Sequence, residues 1–487
     1  MKTIKKHRYT RRDTLKMGAV GAAALAAAPL MSRKARAQAA NNKLLFVVAA
    51  GGGASILDSF LPVLSNEGSG GNTWQAAQIE QPNGSNLRCP VVLDNSIEGQ
   101  VALGNNYSQA TFLGKHAADT VVMTQECTSV NHLVAAERAM TGNSINKGQT
   151  LGEAAALAYG SEMILPNVNM GGAGYFTNGR DRIPDWARAE PVGDARLYPF
   201  ALHGYKGVKG APSSSDMARV RAIRNEMEAA SGFSGTFKNA PLVQRYLARR
   251  EGVNGNMEAD DLITKLMMFQ SGGNMSLSEY QLETSPLAQT LIAKFPTMLT
   301  DPFEAQGALG FLLARYGVSA SVTISTSASP VFESAERIIS APIGFDWSHN
   351  DHRGGQNAMW SRILKTVDGL IELLKEEDYL GDPSLGKMWD RSVIYIATEF
   401  GRSRVSSGGS GHHLNNGNVL ISPLLNGNRV FGGVDPNTCL TYGFDPQTGD
   451  PAPGTLMREE HVYSAVCHAM GIDFATRIDM PAMVRGA

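Results

Sequence analysis

Residues 393–398 form an unbroken apolar run, Val393, Ile394, Tyr395, Ile396, Ala397 and Thr398, without Pro or Gly. A β-branched stretch of that kind is the profile of a strand covered on both faces, as in a parallel sheet flanked by helices. It stops at Glu399, and Phe400, Gly401 and Arg402 lead into a Ser/Gly loop that ends in His412 and His413. Open α/β sheets bind ligands beyond the carboxyl ends of their strands. A carboxylate, an arginine and two imidazoles at such an end mark a candidate site, without naming a reaction.

The rest of the chain supplies a sheet around that strand. Residues 43–50 (KLLFVVAA) read as a first, central strand running into Gly51, Gly52 and Gly53, with Asp58 shortly after. The triple glycine lacks the Lys of a P-loop and the spacing of a dinucleotide fingerprint, so no nucleotide site is expected there. Residues 120–124, 165–170, 318–325 and 418–422 carry further strand character. Residues 64–110 are rich in Asn, Gly and Ser and read as long surface loops. Ser129 and Asn131 offer N-caps for an Ala-rich helix that opens at His132 and stops at Gly142. Segments within residues 213–316 carry helical spacing and form a helical insertion or cap.

A long amphipathic helix follows Asp346, His349, Asp351 and His352. Trp360, Ile363, Leu364, Val367, Leu370, Ile371 and Leu374 form its apolar stripe, and Lys365, Asp368, Glu372 and Lys375 are expected to face solvent. It crosses over to residues 393–398 in a right-handed βαβ unit. The fold class expected is α/β: a largely parallel central sheet flanked by helices, one domain over residues 42–475, with the insertion at about 213–316.

The first 37 residues carry a different message. Arg11 and Arg12 sit in a twin-arginine motif, a weakly hydrophobic Gly/Ala run covers residues 17–31, and Ala35-Arg36-Ala37 is a small-residue cleavage pattern. That run is shorter than the roughly 20 apolar residues a membrane span needs. Export by the twin-arginine translocase, without a stable membrane anchor, to the periplasm or beyond is therefore expected. The segment holds ten of the 44 Lys/Arg residues and one of the 45 Asp/Glu residues. The remainder is acidic, which argues against nucleic-acid partners. Cys89, Cys127, Cys439 and Cys467 are widely spaced without a C-x-x-C pair, compatible with one or two disulfides or with buried thiols.

Two post-strand clusters carry the chemistry: Asp346, His349, Asp351 and His352 in one, Glu399, His412 and His413 in the other. If their strands are neighbours, both deliver ligands to one sheet edge. Imidazole with carboxylate suits Zn²⁺, Mn²⁺ or Fe²⁺ rather than Ca²⁺. A pair of such ions roughly 3.5–4 Å apart supports hydrolysis.

The order of these motifs, from the Gly-rich first strand through FDWSHNDH to IYIATEFGRS and GHHLNNGNVLI, resembles the twin-arginine-exported family called domain of unknown function 1501. That family is grouped with the alkaline phosphatase-like superfamily, and the resemblance runs from about Lys43 to Asp473. It implies an alkaline phosphatase-like fold and a divalent metal, zinc or manganese, held by residues from Asp58, Asp346, His349, His352, His412 and His413. Of these, His349 and His413 match the family pattern best, with Glu399 and Arg402 beside them. Superfamily members carry Asp-His where this chain has Glu399-Phe400. Their hydroxyl nucleophile, counted back from Gly142, falls on His132 or Leu133, so His132 or an activated water takes that role. Arg402 suits an anionic substrate oxygen, or pairs structurally with Glu399.

Two functions follow as expectations. One is an exported metal-dependent hydrolase acting on a small anionic ester, a phosphate or sulfate. The other is a catalytically degenerate envelope protein that binds an exported polymer. No flavin, haem or iron–sulfur motif supports a redox role.

Overall fold

The computed structural model describes residues 40–91, 107–172, 178–202, 212–244, 262–269, 282–326 and 344–486, with Tyr175, Leu247, Leu277 and the strands Val331–Ser334 and Arg337–Ile339. The twin-arginine motif and part of the 64–110 stretch lie outside the described residues. The chain divides into two units, Met1–Asn42 and Lys43–Ala487, and the sheet belongs to the second.

Eight strands build it: β1 (Leu44–Ala50), β2 (Thr120–Glu126), β3 (Asn167–Asn169), β4 (Glu190–Pro191), β5 (Ser321–Ser325), β6 (Ser392–Thr398), β7 (Asn415–Ile421) and β8 (Arg429–Phe431). Their spatial order is β8-β2-β7-β6-β1-β5-β3-β4. All neighbouring pairs are parallel except those of β7, which runs against both β6 and β2. The fold is thus mixed α/β with a mostly parallel central sheet.

β1 and β6 lie at the centre, in register from Leu44 opposite Ser392 to Ala50 opposite Thr398, and every residue of both is buried. Helices cover both faces, which is why these strands read as continuous apolar runs. On one face, Leu45, Val47 and Ala49 share a core with α1 (His132–Thr141), α2 (Leu151–Tyr159) and a C-terminal helix, Glu459–Met470. On the other, α3 (Pro302–Arg315) packs Gly310 so close to β5 that an added Cβ would fall 3.2 Å from Val322, and α4 (His352–Glu376) is the long crossover helix. Each fully buried Val, Leu or Ile side chain contributes roughly 1.5–3 kcal/mol. Hydrocarbon therefore fixes the strands, and the polar groups at their ends are carried along.

The helical stretch within 213–316 is described as Ser214–Ala229, Gly232–Phe237, Leu262–Leu266, Ala288–Lys294 and α3. No helix among the described residues is long and apolar enough to cross a membrane. All four cysteines are buried and unpaired.

One expectation is corrected. Asp368 does not face solvent: it is buried, accepting hydrogen bonds from Tyr107 (2.8 Å) and Lys115 (2.7 Å), with His116 Nε2 2.7 Å away. The helix Gln109–His116 packs over that side of α4, so a position polar by sequence is covered by its partners.

Candidate metal centre

The strands that carry the two clusters, β5 and β6, are not neighbours; both flank β1. All three end at the same sheet edge, and Gly52, just past β1, lies between the two loops. Its φ is +95°, and an added Cβ would fall 2.3 Å from the Asp346 amide nitrogen. Only glycine fits so close an approach.

His132 is the first residue of α1. The side chain of Asn131 caps that helix by accepting from the Val134 amide, which places the imidazole over the ends of β1 and β6. His132 Nδ1 is 2.7 Å from Glu399 Oε1, the oxygen that also accepts the Gly52 N–H at 2.7 Å. The Glu399 side chain is fully buried, and its Oε2 meets no hydrogen-bond partner among the described residues. Burial pushes its carboxyl above the usual range, against the opposing pull of His132 and the Gly52 amide. The hydrogen bond that His132 donates to Glu399 in turn raises His132 above an ordinary histidine. The carboxylate accepts the Nδ1 proton, so Nε2 is the nitrogen that offers a lone pair once its own proton is displaced, as a metal ion would displace it.

His412 repeats this arrangement from the other side. Its Nδ1 donates to the Val130 carbonyl at 3.0 Å, which again leaves Nε2 as the lone pair. The ring stacks on Phe400, with centroids 4.2 Å apart and planes at 29°. Phe400 is thus a plate that fixes an imidazole. Burial first, then the charges of Arg402, His132 and His349, hold His412 below the ordinary histidine value and favour the neutral, ligating form.

Asp346 Oδ1 completes the group at 3.7 Å from His132 Nε2, and the ligand atoms of His132, Asp346 and His412 all lie within 4.8 Å of one another. Ligands of a tetrahedral Zn²⁺ at about 2.0–2.1 Å sit roughly 3.3 Å apart, so a small closure brings these three into bonding range. Both histidines are tied through the far nitrogen to an oxygen, the outer-shell pattern of metal-ligating imidazoles.

Arg402 holds the loops together. Its guanidinium donates to the carbonyls of Gly52, Gly53, Phe345 and Ser410 and to Asp346 Oδ1 at 2.9 Å. The side chain is fully buried. With its donors spent on backbone and Asp346, Arg402 positions a ligand and does not grip a substrate oxygen. Its ionic partner is Asp346, not Glu399.

His349 lies 2.9 Å from His412 Nε2 and 3.2 Å from Arg402 Nη1. A guanidinium only donates, so the Arg402 contact makes His349 Nε2 an acceptor. His349 borders the three-residue group without belonging to it.

Asp58, His352 and His413 are not brought to this point. His352 is fully buried, with Nε2 2.9 Å from Asp58 Oδ2 and Nδ1 2.8 Å from Ser410 Oγ. Asp58 also accepts from Ser55 and Asn72; although burial opposes it, the charge and hydrogen bond of His352, the Ser55 bond and the Arg353 charge hold its carboxyl below the usual range. The Ser410–His352–Asp58 chain has the connectivity of a charge relay, but solvent does not reach its imidazole. It fastens the Ser410 loop to the start of α4. His413 alternates with His412 along the short strand His412–His413, which pairs with Gly401–Arg402. Successive strand residues point to opposite faces, and His413 Nδ1 accepts the Asn415 amide at 2.9 Å. Sequence reasoning missed Ser410, the Val130 carbonyl and the role of Phe400; only the Ser129-Val130-Asn131-His132 helix start carried a local signal for any of them.

No protein-family model matches the chain, and no curated protein is similar to it at a significant level.

Proposed function

We propose that the protein is an exported metal-dependent hydrolase of anionic esters, a phosphate or sulfate among them, with one divalent ion held by His132 Nε2, Asp346 and His412 Nε2. The observation that carries this reading is the pair of Nδ1 tethers, to Glu399 and to the Val130 carbonyl, which aim both remaining lone pairs toward one carboxylate. Three protein ligands that leave a fourth position open are the pattern of catalytic rather than structural zinc sites. When bound, a zinc or manganese ion supplies Lewis acidity toward the ester and toward water. The residues do the rest. Glu399 fixes the tautomer of His132, Arg402 orients Asp346, and Phe400 holds the plane of His412. Two carboxylates face one guanidinium here, so a divalent cation leaves the centre net positive and suited to an anionic substrate. The resemblance to the alkaline phosphatase-like superfamily supports the fold and the metal, with His412 and His132 in place of the family's usual ligands. The leader-like first 37 residues support export.

The test loads the purified protein with Zn²⁺ or Mn²⁺ and measures metal content and hydrolysis of aryl phosphates, sulfates and phosphodiesters. His132→Ala, Asp346→Asn and His412→Ala should each lose the metal and the activity together. Wild-type protein that takes up no metal under these conditions rules the reading out.

A further inference from the structure

We infer that the cavity beside His412 is a subsite for the apolar part of the substrate, so that the ester handled at the metal centre carries an aliphatic or aryl group. The identity of the reacting end rests on the hydrolase reading above.

The cavity, of about 390 Å³, is lined by Val130, Leu414, Leu440 and Leu456 with Glu126, His412, His413, Asn415 and Thr441. Ligand pockets run from roughly 300 to 1,000 Å³, so the volume admits a short chain or one ring. Val130, Leu414, Leu440 and Leu456 are between 38% and 42% exposed. Singly exposed aliphatic residues need no explanation, but four from separate segments bordering one hollow do. Leu133, one residue beyond the His132 ligand, is 65% exposed.

Two members join the hollow to the centre. His412 lines it and offers Nε2 to the metal group, and the Val130 carbonyl is the acceptor that fixes His412. Much of the polar lining is spent internally. Thr441 Oγ1 donates to Asn415 Oδ1 at 2.7 Å, Asn415 Nδ2 donates to the Cys439 carbonyl at 3.0 Å, and His413 Nδ1 accepts the Asn415 amide. Glu126 adds a carboxylate, which repels an anionic group. Charge therefore sends the ester head to the metal side and its hydrocarbon to the cavity.

The test measures binding of n-alkylphosphonates, methyl to hexyl, to zinc-loaded and metal-free protein by calorimetry. Affinity should rise about three- to fourfold per methylene until the hollow is full. Leu456→Asp and Leu440→Ser should flatten that rise while zinc uptake stays as in the wild type. A flat series in the wild type, or a rise that both variants leave intact, overturns the subsite. Zinc that adds nothing to head-group affinity counts against the metal reading alone, because the rise per methylene is read in the metal-free protein as well. A flat series together with an oligomer dispersed by Leu456→Asp assigns the patch to a second copy of the chain and likewise overturns the proposal.

Discussion

His132 Nδ1 and the Gly52 amide meet on one oxygen, Glu399 Oε1, each at 2.7 Å. The residue after β6 is thereby locked to the turn after β1 and to the first residue of α1. A buried carboxylate that accepts a histidine proton both orients the ring and raises its basicity toward a metal.

Glu399→Gln keeps the shape of that contact and removes its charge. Metal affinity should fall about 10- to 100-fold, the usual cost of losing an outer-shell partner. Competition against a chelator of known affinity measures it, and an unchanged value would show that His132 is not a ligand.

The two adjacent histidines should behave differently. His412→Ala removes a ligand and is expected to abolish stoichiometric metal binding, whereas His413→Ala should leave affinity within about threefold, because its ring lies on the other side of the strand. The Co²⁺ absorption spectrum reports both. Equal losses would mean that the short strand has the opposite facing.

His352→Ala leaves Asp58 a buried charge without its nearest ionisable partner, with Arg353 Nε 3.5 Å away as the remaining cation. Breaking a buried pair costs about 3–5 kcal/mol, against about 1 kcal/mol for each of the two hydrogen bonds, to His352 and to the Ser348 carbonyl, lost in Ser410→Ala. Urea denaturation of both variants should show this ranking. Comparable small losses would indicate that solvent reaches the pair.

Asp368 offers a pH test away from the metal centre. Burial pushes its carboxyl up, but the bonds from His116, Lys115 and Tyr107 win and hold it down at about 2. A depressed acid stabilises the fold above its unfolded value and loses that contribution as pH falls through the folded value. The stability gap between wild type and Asp368→Asn should therefore be full at neutral pH and narrow as pH drops from about 4 toward 2. A gap that does not change over that range would show that the bonds act without the charge.

Much of the scaffold was legible because its signals are local. The runs at 43–50 and 393–398 demand cover on both faces, and they form the two central strands. The Asn131 cap and the apolar stripe of the crossover helix are likewise properties of contiguous residues. Asp368 shows where locality ends, since a charged residue on a polar helix face became buried when Tyr107, Lys115 and His116 arrived from elsewhere in the chain.

The sequence by itself determined that carboxylates and imidazoles would gather at the carboxyl edge of a mostly parallel sheet, because strand order along the chain and apolar pattern decide where loops emerge. Only the tertiary structure decided which of them meet. Whether His412 or His413 turns inward depends on the pairing register with Gly401–Arg402, and whether Asp58 faces the group or His352 depends on how α4 docks. Those outcomes are set by a hairpin register across a Ser/Gly loop and by a contact between residues 294 positions apart, neither of which a local pattern encodes.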